Sequence, residues 1–135
     1  MSYIVLGILY RKPHLSPAEF KAHYENIHLP LLKTLLGDAF PTSHSRRYIQ
    51  RASEPQDTPI PGTQGERYPA TVLQGEQADV EYDALMELRF ESEEHLGRFI
   101  ARSSEEKIGK ELLEDDDLFL DRERGKVVII GSVEE

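Results

Sequence analysis

The chain has 135 residues, 39% of them hydrophobic and 30% charged, with no cysteine and a formal charge of −9 from 16 basic and 25 acidic side chains. That length suits one globular domain burying roughly two thirds of its unfolded surface, and it leaves no room for a second. The missing cysteines exclude disulfides, thiolate nucleophiles and cysteine zinc sites, and the acidic balance opposes nucleic-acid and anionic-membrane partners.

The first apolar run, Ile4 to Tyr10, is too short to span a membrane, and it lacks the basic lead and small-residue cleavage site of a secretory signal, so a cytoplasmic protein is expected. Tyr3 to Arg11 reads as a strand rich in branched apolar residues. Ser16 then offers an N-cap oxygen, Pro17 suits the first helical position and Glu19 has capping-box spacing, which predicts a helix from Ser16 to about Leu36, stopped by Gly37. Projected as a regular helix, Phe20, Tyr24, Ile27, Leu31 and Leu35 share one face. His28 falls inside that stripe and His23 on its flank. Pro30 cannot donate to the carbonyl of Asn26, so the helix should kink or restart just after His28.

Ser43 to Arg51 reads as a second, polar strand. The stretch from Ala52 to Asp79 carries Pro55, Pro59, Pro61, Gly62, Gly65, Pro69 and Gly75, and is expected to be an extended surface excursion with one short ordered piece near Ala70 to Leu73. Val80 to Glu91 is a third strand, with Ala84, Met86, Leu88 and Phe90 on an apolar face. Ser92 caps a helix through Phe99 and Ile100, Ser104 caps another through Ile108 and Leu112, and Lys126 to Val133 supplies the last strand. The run Glu114-Asp115-Asp116-Asp117 reads as a solvated helix end or loop, without the alternating ligands and glycine of a calcium loop.

This order is that of an α+β, ferredoxin-like split βαβ domain with a four-stranded antiparallel sheet and helices on one face. The opposite face would be left apolar, which predicts a homodimer.

The segment YRKPHLSPAEFKAHYENIHLPLL resembles the EthD family of dimeric α/β-barrel proteins, through the spacing L-S-x-x-E-F-x-x-H-Y-x-x-x-H-x-P-L. DVEYDALMELRF resembles that family's tyrosine-aspartate strand, and EDDDLFLDRERGKVVIIG is similar to the ending of fungal members that include cofactor-independent decarboxylases of aromatic polyketide pathways. The resemblance covers essentially the whole chain and implies a site in a cleft between helices and sheet. It carries His28 first, then His23, Tyr24 and Asp83, onto that site; Phe20, Tyr48 and Arg47 are added from their positions on helix and strand faces.

An imidazole can give or take a proton near neutral pH, which suits His28 as a general acid or base. Asp83 either orients His28 or serves its own strand by bonding a neighbouring backbone amide. Arg46 or Arg47, whichever faces the cleft, would hold a substrate carboxylate, or both guard a strand edge. On a straight helix His23 and His28 point about 140° apart, unlike a zinc-binding pair four residues apart, and no phosphate-binding glycine loop or serine elbow is present, so neither metal nor cofactor is expected. Together these readings point to a cofactor-independent lyase that decarboxylates or dehydrates an aromatic polyketide β-keto intermediate. The alternatives are a cofactor-independent monooxygenase of anthrone-like phenols and a noncatalytic dimer that binds a small molecule.

Overall fold

The computed structural model describes residues 3–135. Four strands, β1 (Tyr3–Leu9), β2 (Ser43–Tyr48), β3 (Ala84–Phe90) and β4 (Lys126–Ile130), form one sheet ordered β2-β3-β1-β4, every neighbouring pair antiparallel. Between β1 and β2 a helical segment runs from α1 (Pro17–His23) through a π-turn (Tyr24–His28) into α2 (Leu29–Leu36); α3 (Glu93–Ser103) and α4 (Glu106–Phe119) join β3 to β4. This is the expected α+β, split βαβ topology. Among the described residues no helix is long and apolar enough to cross a membrane.

The start of α1 follows from its sequence. The Ser16 side chain accepts from the Glu19 amide, and the Glu19 carboxylate accepts from the Ser16 amide at 2.9 Å, with Pro17 in the first turn. Gly37 ends α2 with φ at 53°, a backbone state that glycine adopts without a Cβ penalty.

The break expected at Pro30 takes the form of a π-turn, in which the Leu29 amide donates to the Tyr24 carbonyl, five residues back. One extra residue is thereby accommodated, and the inward face shifts by one position. Phe20, Tyr24, His28 and Leu36 are buried, whereas Ile27, expected inside, is 52% exposed. The straight-helix stripe through Ile27, Leu31 and Leu35 is therefore displaced onto His28, Leu32 and Leu36.

On the helix side of the sheet, Val5 and Leu9 of β1 meet Ala84, Leu88 and Phe90 of β3, beneath Phe20, Tyr24, Leu96 and Phe119. The opposite side carries Leu6, Ile8, Leu85 and Val128 with no helix above them, as their alternation along the paired strands requires.

Other differences from expectation have local causes. β3 starts at Ala84, because Gln77–Val80 turns as a short 3₁₀ helix. Ser104 closes α3, its amide bonding back to Ile100 and Ala101, and α4 begins at Glu106 without a side-chain cap. Gly109 permits this tight corner, since a Cβ there would lie 3.0 Å from the Ser103 carbonyl. The 52–79 excursion folds back on itself: amides of Ala52, Gln56 and Ile60 donate to carbonyls of Pro69, Arg67 and Glu66, and Ile60 and Ala70 are buried.

Candidate functional site

The acidic run is neither a loop nor uniformly solvated, because α4 continues to Phe119. Successive residues of a helix point about 100° apart, so three adjacent carboxylates fan into three environments. Asp115 is buried; Asp116 is half-buried; Asp117 is exposed and accepts from Arg122 at 2.8 Å. The signal for this lay in the spacing of Leu112, Asp115 and Phe119, an apolar stripe with one acid in it.

Asp115 receives two imidazoles. His28 Nδ1 lies 2.7 Å from Asp115 Oδ2, and His23 Nε2 lies 3.1 Å and 3.2 Å from the two oxygens. An ionised carboxylate only accepts, so the proton of neutral His28 sits on Nδ1 and leaves a lone pair on Nε2. That nitrogen is 3.6 Å from Asp116 Oδ1. Burial lowers the His28 pKa, opposed by its bond to Asp115, so the ring is a neutral base near pH 7. Burial pushes the Asp116 carboxyl up to about 6, with Arg122 opposing and Asp115 and Asp117 reinforcing the shift.

His28 and Asp116 open into a cavity of about 390 Å³ between the helices and the sheet. Its body is apolar, with Leu9, Leu32, Leu36, Met86, Leu88 and Phe99, and its volume is that of a small-molecule site. Tyr24 and His44 complete the polar wall, Tyr24 Oη lying 2.9 Å from His44 Nε2. Burial lowers the His44 pKa to about 4 and raises that of Tyr24, so both are neutral at pH 7. His44 Nδ1 has no hydrogen-bond partner among the described residues. Arg122 and Lys126 also line the cavity.

The residues expected at the site divide. His28 and Tyr24 line the cavity; His23 does not, and is joined to His28 through the carboxylate of Asp115, its ring stacked on Phe119 with ring centroids 4.5 Å apart. Asp83 does not orient His28. Its carboxylate accepts from the Arg11 amide at 2.8 Å and from Arg11 Nε and Arg51 Nε at 3.1 Å and 3.0 Å, in a buried cluster that Glu66 completes. Phe20 is core, edge-on to Tyr24 and Tyr48, and Tyr48 donates to Glu25 at 2.5 Å; neither lines the cavity. Arg47 is exposed against Glu87, and Arg46 pairs with Glu25, so neither arginine faces the cavity.

Sequence reasoning missed His44, Asp115 and Asp116. The expected 140° between His23 and His28 is also corrected, since the π-turn brings both to one carboxylate. Among the described residues no group of three or more histidine, cysteine or carboxylate side chains is arranged to hold a metal ion.

The family model of the EthD domain matches residues 12–123. The chain belongs to the EthD domain family. Three solved structures share its fold. One from Bacillus halodurans C-125, described as an ethyl tert-butyl ether D (EthD) family protein, is 18% identical at a TM-score of 0.52, over 97% of this chain and 99% of that one. An EthD-like protein from Ralstonia eutropha JMP134 is 17% identical at a TM-score of 0.53, covering 100% and 96%. A protein from Arabidopsis thaliana, At3g17210, is 13% identical at a TM-score of 0.54, covering 98% and 97%. No curated protein matches this EthD-domain chain.

Proposed function

We propose that this EthD-domain protein is a cofactor-independent lyase, decarboxylating or dehydrating an aromatic polyketide β-keto intermediate, with His28 as its general acid or base. The observation that carries the reading is the Asp115–His28 pair at 2.7 Å, which fixes the tautomer of an imidazole whose second nitrogen stands beside Asp116 at the cavity wall. Acid–base help of this kind is worth roughly 10²- to 10⁴-fold, enough for a substrate with acidic α-protons. The apolar body of the cavity suits a fused aromatic ring, and the neutral Tyr24 hydroxyl suits an enolate oxygen. The similarity of its last segment to fungal members of the family favours secondary metabolism as the setting, and its composition favours the cytoplasm.

The protein acts as a homodimer in this reading. Leu6, Ile8, Leu85 and Val128 share a sheet face that no helix covers, and a second copy would bury it.

The test is mass-resolved product analysis of wild type and His28→Ala with an aromatic polyketide β-keto acid, with and without oxygen. Loss of about 44 or about 18 mass units that requires His28 and ignores oxygen is the expected result. Gain of oxygen would reassign the protein to the monooxygenases, and turnover no faster than the spontaneous rate would leave a binding protein.

A further inference from the structure

Two proton carriers face the cavity side by side, and decarboxylation has use for only one. When CO₂ leaves a β-keto acid, a single proton must be delivered to carbon. Loss of water from a β-hydroxy ketone needs both a base for the α-proton and an acid for the departing hydroxyl. His28 Nε2 and Asp116 Oδ1 are 3.6 Å apart and line the same cavity, so both can reach one face of a bound molecule. Their backing differs. Asp115 holds His28 from behind at 2.7 Å, while the Asp116 carboxyl makes no hydrogen bond to a protein group among the described residues, and its neighbour Asp117 takes Arg122 at 2.8 Å.

We propose, resting on the lyase reading above, that Asp116 is the general acid of this site and that the reaction is dehydration of an aromatic β-hydroxy ketone. The balance closes within the chain. His28 Nε2 takes the α-proton, and the C–H electrons form an enolate. The enolate collapses to a C=C bond, the C–O bond breaks, and the leaving oxygen takes the Asp116 proton and departs as water. Protonated His28 then returns its proton across the short gap to the Asp116 carboxylate, restoring both groups. No oxidant, reductant or external acid is consumed.

Burial shifts both groups toward their neutral forms, raising the Asp116 carboxyl to about 6 and lowering His28, so the acid form of Asp116 is a minor species at pH 7 and the major one below about pH 6. The charged and titratable groups around the pair are Asp115 and Asp117 on α4, Arg122 and Asp121 just beyond it, His23 at the end of α1, Tyr24 on the π-turn, His44 on β2, Tyr10 just after β1 and Lys126 on β4. A carboxyl that must be protonated gives a rate that falls as pH rises through its pKa, so turnover should decline above about pH 6.

The experiment uses the full chain with a bicyclic aromatic β-hydroxy ketone, followed for water loss and, in D₂O, for deuterium exchange at the α-carbon. Exchange needs only the base; water loss needs both groups. We expect Asp116→Asn to slow water loss by about 100-fold or more, to lose the decline above pH 6, and to keep α-exchange, whereas His28→Ala loses both. Asp116→Glu should recover part of the water loss with its alkaline decline, which an amide or a merely structural role would not provide. Water loss by Asp116→Asn at the wild-type rate, with an unchanged pH profile, would remove Asp116 while leaving His28 and the lyase reading standing. Neither exchange nor water loss in wild type above His28→Ala would overturn both.

Discussion

His23 and His28, five residues apart in sequence, hydrogen-bond the same carboxylate, that of Asp115. A regular helix would aim them about 140° apart. The π-turn between Tyr24 and His28 absorbs the difference, placing both rings against α4 and pointing Leu32 and Leu36 into the cavity.

If Asp115 fixes the His28 tautomer, Asp115→Asn should leave the protein folded and reduce turnover by about 100-fold or more, as for other positioned acid–base groups. Nitrogen chemical shifts of His28 should report the second tautomer, with Nε2 protonated. An unchanged His28 spectrum in the variant would show that the pair does not control the ring.

Asp83 belongs to stability instead. Removing its carboxylate leaves Arg11 and Arg51 partly unpaired in a buried cluster, and breaking such pairs costs about 3–5 kcal/mol. Asp83→Ala should lower the urea midpoint accordingly while turnover per folded molecule stays at the wild-type value.

Acid sensitivity should trace partly to His44. Its pKa is lowered to about 4, so its contribution to stability is fully present above its ordinary value near 6.5 and is lost as pH falls toward 4. His28, also lowered, acts in the same direction; Asp116, raised, acts in the opposite one, favouring the folded state as pH falls through about 6. His44→Gln should flatten the fall in stability between about pH 6.5 and 4, measured by urea unfolding at a series of pH values.

The uncovered sheet face gives a fourth expectation. Val128→Glu places a charge among Leu6, Ile8 and Leu85, and sedimentation velocity should show the variant as a monomer where the wild type is a dimer. A wild type that sediments as a monomer at micromolar concentration would end the dimer reading.

Much of the fold was legible because local signals agreed. Ser16, Pro17 and Glu19 marked a helix start that the structure reproduces bond for bond, and the alternation of Ala84, Met86, Leu88 and Phe90 marked the covered sheet face. Pro30 announced an irregularity and not its form, since a missing amide donor is compatible with a kink, a restart or a π-turn. Asp115 and Asp116 were hidden by their neighbours. Four consecutive acids look solvated in sequence, and only the long-range meeting of α4 with the π-turn turns two of them inward. Asp83 erred the other way: an acid at a strand start, drawn to the site by resemblance, finds two arginines that lie 72 and 32 residues from it in sequence.

Those separations bear on how the protein comes apart. Arg11, Arg51, Glu66 and Asp83 come from β1's exit, β2's exit, the folded-back excursion and β3's entry, and each carboxylate serves both guanidiniums. Detaching the excursion would strip Glu66 from two buried cations, so the proline-rich ribbon, despite its composition, should resist proteolysis until the sheet itself opens.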